Sequence, residues 1–179
     1  MKNALDLTTA EWRAELSGMG EPAFRAGQVF SWLHKGADFA QMRNLPASLR
    51  ARLAERYDAR GVEILEKFVS RQDGTVKYLY RLRDGNVIEG VRMRYHHGDT
   101  LCVSTQVGCR MGCAFCASTL EGLARSLSAG EILGQVIAAN RDEMRIHNIV
   151  LMGSGEPLDN YEQTVRFLRL LREPGGLQT

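Results

Sequence analysis

No stretch of this chain runs to the roughly 18 consecutive apolar residues that a membrane-crossing helix needs, and no secretory signal peptide stands at its N-terminus. These absences make the cytoplasm the expected compartment, with no membrane partner. Cysteine is scarce. Four cysteines in 179 residues are too few for the disulfide framework of a small secreted domain. An excess of one charge is lacking as well: a net charge of +2 does not by itself demand a nucleic-acid partner, and the slight basic excess lies ahead of the cysteines. What the chain has is apolar bulk, 44% of its residues, enough for a real core shared between about two modules.

Three of the four cysteines crowd into one stretch, Gly108-Cys-Arg-Met-Gly-Cys-Ala-Phe-Cys116. The spacing Cys109-x3-Cys113-x2-Cys116 places three thiolates on so short a loop that they can hold three corners of a cubane iron–sulfur cluster. Ordinary cluster proteins supply four cysteines, so one iron would stay open to another ligand, which points to chemistry rather than electron storage. A closed zinc site competes with this reading. Structural zinc usually takes four ligands, often from two Cys-x2-Cys knuckles. Here no cysteine follows Cys116 and His147 stands alone, so zinc would need awkward partners.

The periodicity changes along the chain. Residues 1–60 read as short helices. Thr8 with Glu11 forms a capping-box pattern for a helix through about Leu16, and a second runs from about Ala23 to His34. Pro46 opens a third, with Leu49 and Leu53 as its buried stripe. Arg25, Lys35, Arg50 and Arg52 on these helices are either nucleic-acid contacts or plain solvated faces. Residues 61–99 switch to strand patterns at Val62–Phe68, Thr75–Leu82 and Asn86–Met93, with Asp73-Gly74 and Asp84-Gly85 as turns. The third of these strands carries Glu89, which pattern alone would turn to solvent.

Over residues 100–179 the rhythm becomes strand, loop, helix, strand, loop, helix. A strand from Leu101 to Thr105 runs into the cysteine loop. A helix spans about Ala129 to Met144, capped by Ser128 with Glu131, and a strand follows at Asn148–Met152. The turn Gly153-Ser-Gly-Glu-Pro157 leads into a helix at Tyr161–Arg172. This alternation is that of a parallel α/β sheet or barrel, whose sites form on loops after the carboxyl ends of strands. The cysteine loop and the Gly153–Pro157 loop both occupy that position and are expected to face each other. Glu156 could accept hydrogen bonds from an ammonium group, Gly153 and Gly155 free the backbone for close approach, and Phe115 offers an aromatic face that would otherwise be core.

Cys109-x3-Cys113-x2-Cys116, with an aromatic before its last cysteine and a Gly-Glu-Pro downstream, resembles the radical S-adenosylmethionine enzymes. Three longer strings narrow the resemblance: Leu101-Cys-Val-Ser-Thr-Gln-Val-Gly-Cys-Arg-Met-Gly-Cys-Ala-Phe-Cys-Ala-Ser118, Gly130-Glu-Ile-Leu-Gly-Gln-Val136 and Met152-Gly-Ser-Gly-Glu-Pro-Leu158. Together with Phe24-Arg-Ala-Gly-Gln28 they are similar to the RlmN/Cfr family, and most of all to its RlmN branch. The resemblance implies an α/β fold: an N-terminal helical RNA-binding module (1–60), an antiparallel meander (61–99), then the first two βα units of a partial (β/α)6 barrel (100–179). It implies a radical S-adenosylmethionine methyltransferase of adenine C2 in 23S rRNA and tRNA, the C8-directed Cfr branch or a non-catalytic RNA-binding or redox fragment being the alternatives. A 4Fe–4S cluster on Cys109, Cys113 and Cys116 would bind S-adenosylmethionine, its methionine end held by Gly155 and Glu156. Electrons would come from a donor such as flavodoxin.

By the same resemblance Glu89 is the proton acceptor and Cys102 the resolving cysteine, forming a transient disulfide with a methyl-carrying cysteine far downstream. Gln106, Arg110 and Ser118 line the same pocket without an assigned role. The chain departs from the family in having no cysteine after Cys116 and only two strand–helix units. It is therefore expected to be the N-terminal half of such an enzyme, inactive and poorly stable by itself.

Overall fold

The computed structural model describes residues 1–142 and 145–177. The chain opens with a two-residue strand β1 (Lys2–Asn3) and a helical module of α1 (Thr9–Ser17), α2 (Arg25–His34) and α3 (Ala47–Arg56). The expected cap is present: Thr8 Oγ1 accepts from Glu11 N–H while Glu11 accepts from Thr8 N–H. Pro46 is the residue just before α3, extended at ψ 143°, rather than inside its first turn. Leu49 and Leu53 are buried. A short β2 (Tyr57–Asp58) pairs in parallel with β1 and returns the chain to its start.

Next come β3 (Val62–Val69), β4 (Val76–Leu82) and β5 (Val87–Tyr95), an antiparallel meander as the two Asp-Gly turns require. Gly74 and Gly85 take φ of 70° and 88°, and the aspartate before each accepts the backbone N–H two residues on. The meander does not end there. β6 (Gly98–Cys102) pairs antiparallel with β5, and β9 (Asn148–Val150) pairs in parallel with β6, so one sheet runs β3-β4-β5-β6-β9. A parallel pair needs a crossover, supplied by α4 (Ala129–Asp142). The expected last residues of that helix, 143 and 144, lie outside the described residues. α5 (Tyr161–Arg172) closes the fold over the range expected for the last helix.

Alternation decides what each face of this sheet does. Val76, Tyr78, Tyr80 and Leu82 of β4 are buried together with Ile132, Leu133 and Val136 of α4, and Tyr80 Oη donates to Gln135 O of that helix. The opposite face carries Lys77, Glu89, Val91 and Cys102, because Leu79 pairs with Glu89 and Val91 with Cys102. The helical module joins the same core: Trp12, Leu16, Phe30, Leu49 and Tyr57 are continuous with the residues under α4.

Candidate functional site

β6 stops at Cys102, earlier than its apolar run suggests, and the backbone then makes a second short ribbon: β7 (Gln106–Gly108) against β8 (Leu123–Ser126). The three clustered cysteines thus follow not β6 of the main sheet but β7 of this ribbon, on the excursion between Gly108 and Leu123, whose base closes by Cys109 N–H to Gly122 O at 3.0 Å. Gly108 is indispensable to that closure. At φ 72° a Cβ there would come within 2.0 Å of Gly122 O. Cys109 is buried at the base, Cys113 exposed and Cys116 between, with Cys116 N–H turned back onto Cys113 O at 3.0 Å.

The second loop lies against the segment between β6 and β7. Thr105 N–H and Gln106 N–H donate to Ser154 O at 2.9 and 3.1 Å, and Gly153 N–H to Val103 O at 3.1 Å. Ser104 Oγ accepts from Ser154 N–H and donates to Glu89 O. Ser118 Oγ, beyond the last cysteine, reaches Ser154 Oγ at 3.3 Å. The two loops are therefore adjacent, as their positions after β6 and β9 predicted. The glycines of the second loop have a packing reason of their own. A Cβ on Gly153 would meet Val103 O at 2.7 Å, and one on Gly155 (φ 98°) would meet Gln106 Cβ at 2.5 Å, so both hydrogens point into the strand end.

Glu156 is half-buried, and its carboxylate accepts the N–H of Leu158. The Glu156 N–H donates to Gln106 Oε1 at 2.9 Å. Gln106 and Arg110, to which the sequence attached no role, meet on Asp159, which sequence reading missed altogether. Arg110 beside it, then Gln106, hold the Asp159 carboxyl below its ordinary range. Asp159 left no sequence signal, since Arg110 is 49 residues away along the chain.

Glu89 and Cys102 sit on the open face, on neighbouring strands and two residues out of direct register. Glu89 is exposed and ion-paired with Lys77 Nζ at 2.7 Å, a surface pair of at most about 1 kcal/mol. Burial pushes the Cys102 thiol up, partly offset by a hydrogen bond from the Met152 backbone, so it stays protonated at neutral pH. The expected disulfide is not supported: all four cysteines are free, and the downstream cysteine that the resemblance implies as the partner of Cys102 is not in this chain.

Among the described residues no three His, Cys, Asp or Glu side chains are gathered into a group able to hold a metal ion. The fit to a cluster therefore rests on donor chemistry. Three soft thiols share one excursion whose outer part is exposed, and soft thiolates are the donors iron–sulfur clusters take.

A profile of the "Ribosomal RNA large subunit methyltransferase N-terminal domain" matches residues 2–58, and one of the "Radical SAM superfamily" matches residues 103–178. The chain is 53% identical over 175 residues, 97% of its length, to a probable dual-specificity RNA methyltransferase RlmN of Alkaliphilus oremlandii, and 50% identical over 179 residues to one of Clostridium botulinum. The chain belongs to the RlmN family of radical SAM proteins. It spans about half the length of these curated relatives, 51% and 52%. The crystal structure of a radical SAM methyltransferase from Sphaerobacter thermophilus is 41% identical and superposes with a TM-score of 0.92 over 99% of this chain and 54% of that one. The mixed α/β architecture shared with that structure thus extends across the sheet and both loops. No helix of the described residues is long and apolar enough to cross a membrane.

Proposed function

We propose that this chain carries the cluster-holding and cofactor-holding part of a radical S-adenosylmethionine RNA methyltransferase acting in the cytoplasm on adenine C2 of ribosomal RNA and tRNA. Residues 1–60 would serve as the RNA-binding module, 61–99 as the meander and 100–179 as the catalytic α/β domain, with electrons from a donor such as flavodoxin. The observation that supports this reading best is the cysteine loop hydrogen-bonded beside the Gly-Ser-Gly-Glu-Pro loop, the latter following the carboxyl end of β9 and the former reached from the end of its parallel partner β6 through β7.

Cys109, Cys113 and Cys116 would hold a 4Fe–4S cluster, and Gly155 with Glu156 the methionine end of S-adenosylmethionine. When bound, the pair supplies one-electron cleavage of the sulfonium and so a radical route to C2, an amidine carbon that is no nucleophile. The Glu156 carboxylate, now accepting from Leu158 N–H, would turn to accept from the cofactor's ammonium. Glu89, on the open face with its carboxylate half in solvent and paired with Lys77, would take the proton that the ring carbon must lose. Cys102, a neutral thiol on the same face, would be the second thiol in product release.

Anaerobic reconstitution of this chain with iron and sulfide tests the first part. About four irons per chain are expected, with an electron-paramagnetic signal that shifts on adding S-adenosylmethionine. Zinc alone, or a signal indifferent to the cofactor, would sink the reading. Grafting residues 1–179 onto the remaining half of a full-length relative tests the rest, with mass analysis of the RNA. We expect 2-methyladenine, abolished by Glu89→Gln; an 8-methyl product overturns the target, and full turnover in Glu89→Gln returns that residue to a surface acid.

A further inference from the structure

Arg110 directly follows the first cysteine of the loop, and its guanidinium faces the carboxylate of Asp159, three residues past Glu156. Arg110 Nε lies 3.2 and 3.0 Å from the two carboxylate oxygens, and Nη2 closes the fork on Oδ1. That is the planar two-point geometry a lysine ammonium cannot reproduce. The second carboxylate oxygen also accepts from Gln106 Nε2 at 3.0 Å. Gln106 is fully buried, and its amide oxygen accepts Glu156 N–H. One series of contacts thus runs Arg110, Asp159, Gln106, Glu156, and every link in it crosses between the strand carrying the cysteine loop and the second loop.

The excursion from Cys109 to Gly122 needs such a link. Residues 110–115 are all exposed; the backbone hydrogen bonds beyond the base are short local turns such as Cys116 N–H to Cys113 O, and the other link from the excursion to the second loop, Ser118 Oγ to Ser154 Oγ, lies past the last cysteine. An exposed loop that had to be fixed when a ligand arrived would lose affinity that a pre-ordered loop retains. We propose that Asp159 is a positioning residue: by gripping Arg110 from a seat set by Gln106, it holds the cysteine loop at a fixed distance from Gly155 and Glu156 before any cofactor arrives. The tether stands on the contacts above; its benefit to cofactor binding rests on the proposed function.

Amide hydrogen exchange of the cluster-free chain reads the tether directly. Asp159→Asn is expected to speed exchange across residues 110–120 roughly fivefold, the size appropriate to a partly exposed ion pair, while α4 and the meander keep wild-type protection. Arg110→Lys, which keeps the charge but not the fork, should fall between the two. Unchanged exchange in 110–120 overturns the proposal whatever the chain binds. After anaerobic loading, Asp159→Asn should hold as much iron as wild type yet need about fivefold more S-adenosylmethionine to half-shift the paramagnetic signal; equal half-saturation also overturns it. A wild-type chain that takes no cluster is a failure of the proposed function instead, and the exchange comparison still decides the tether. Should Asp159→Asn melt early, Arg110→Lys and Arg110→Gln carry the same comparison, since that side chain is mostly in solvent.

Discussion

Gly155 shows how one residue can be needed twice over. Its φ of 98° is one that side-chain-bearing residues rarely adopt, and a Cβ there would strike Gln106. Gly155→Ala is therefore expected to destabilise the chain by about 1–3 kcal/mol, seen as a lower urea midpoint. An unchanged midpoint would mean the loop can lift off the strand end. His34 makes a second single-residue case. It is buried against the Phe30 ring at 4.0 Å and beneath Gly176, and neither ring nitrogen has a hydrogen-bond partner. Burial lowers its pKa to about 4. Because the unfolded histidine takes up a proton near pH 6.5 and the folded one only near 4, stability rises with pH across that window. It is lost as pH falls through it, by a total on the order of 3 kcal/mol. Urea melts at pH 7 and pH 4.5 should show this dependence, and His34→Leu should flatten it.

Among the elements, α4 is the one whose sequence pattern says most and still misleads. Its capping box, Ser128 with Glu131, was legible and is present. It carries two glycines, Gly130 and Gly134, and Gly-to-Ala in an exposed helix normally stabilises by up to about 1 kcal/mol. Here the sign reverses at Gly130. Its N–H donates to Asp6 Oδ1, and a Cβ would meet Asp6 N at 2.7 Å, so Gly130→Ala should push the helix off the N-terminal turn. A Tm lower than wild type is expected; a higher one would show that propensity outweighs the clash. The ribbon of β7 and β8 was invisible beforehand for a different reason. Strands of three and four residues interrupted by Gly108 have too few positions for a period to show. Its register is instead imposed by neighbours, among them Arg125, which forks onto Glu131 and also reaches Asp84 at the β4–β5 turn.

At the scale of the whole molecule, one end is left apolar. Phe115, Leu120, Met152 and Leu158 are 94%, 83%, 80% and 75% exposed, all on the two loops of the candidate site, and β9 pairs only with β6 among the described residues. An open strand edge beside exposed apolar side chains favours self-association. Sedimentation of this chain should show a concentration-dependent shift, reduced by Leu120→Glu with Leu158→Glu; an ideal monomer at high concentration would show that the edge is harmless. The sequence by itself determined what local physics can encode. Capping residues, Asp-Gly turns, strand alternation and the clustering of three thiols each act over a few residues, and each could be read in place. Tertiary structure alone decided the rest. The meander and the parallel pair merge into one sheet, Glu89 and Cys102 share its open face, and Gln106, Arg110 and Asp159 join the two loops. Those outcomes depend on register and on contacts between residues some fifty positions apart, which no local pattern records.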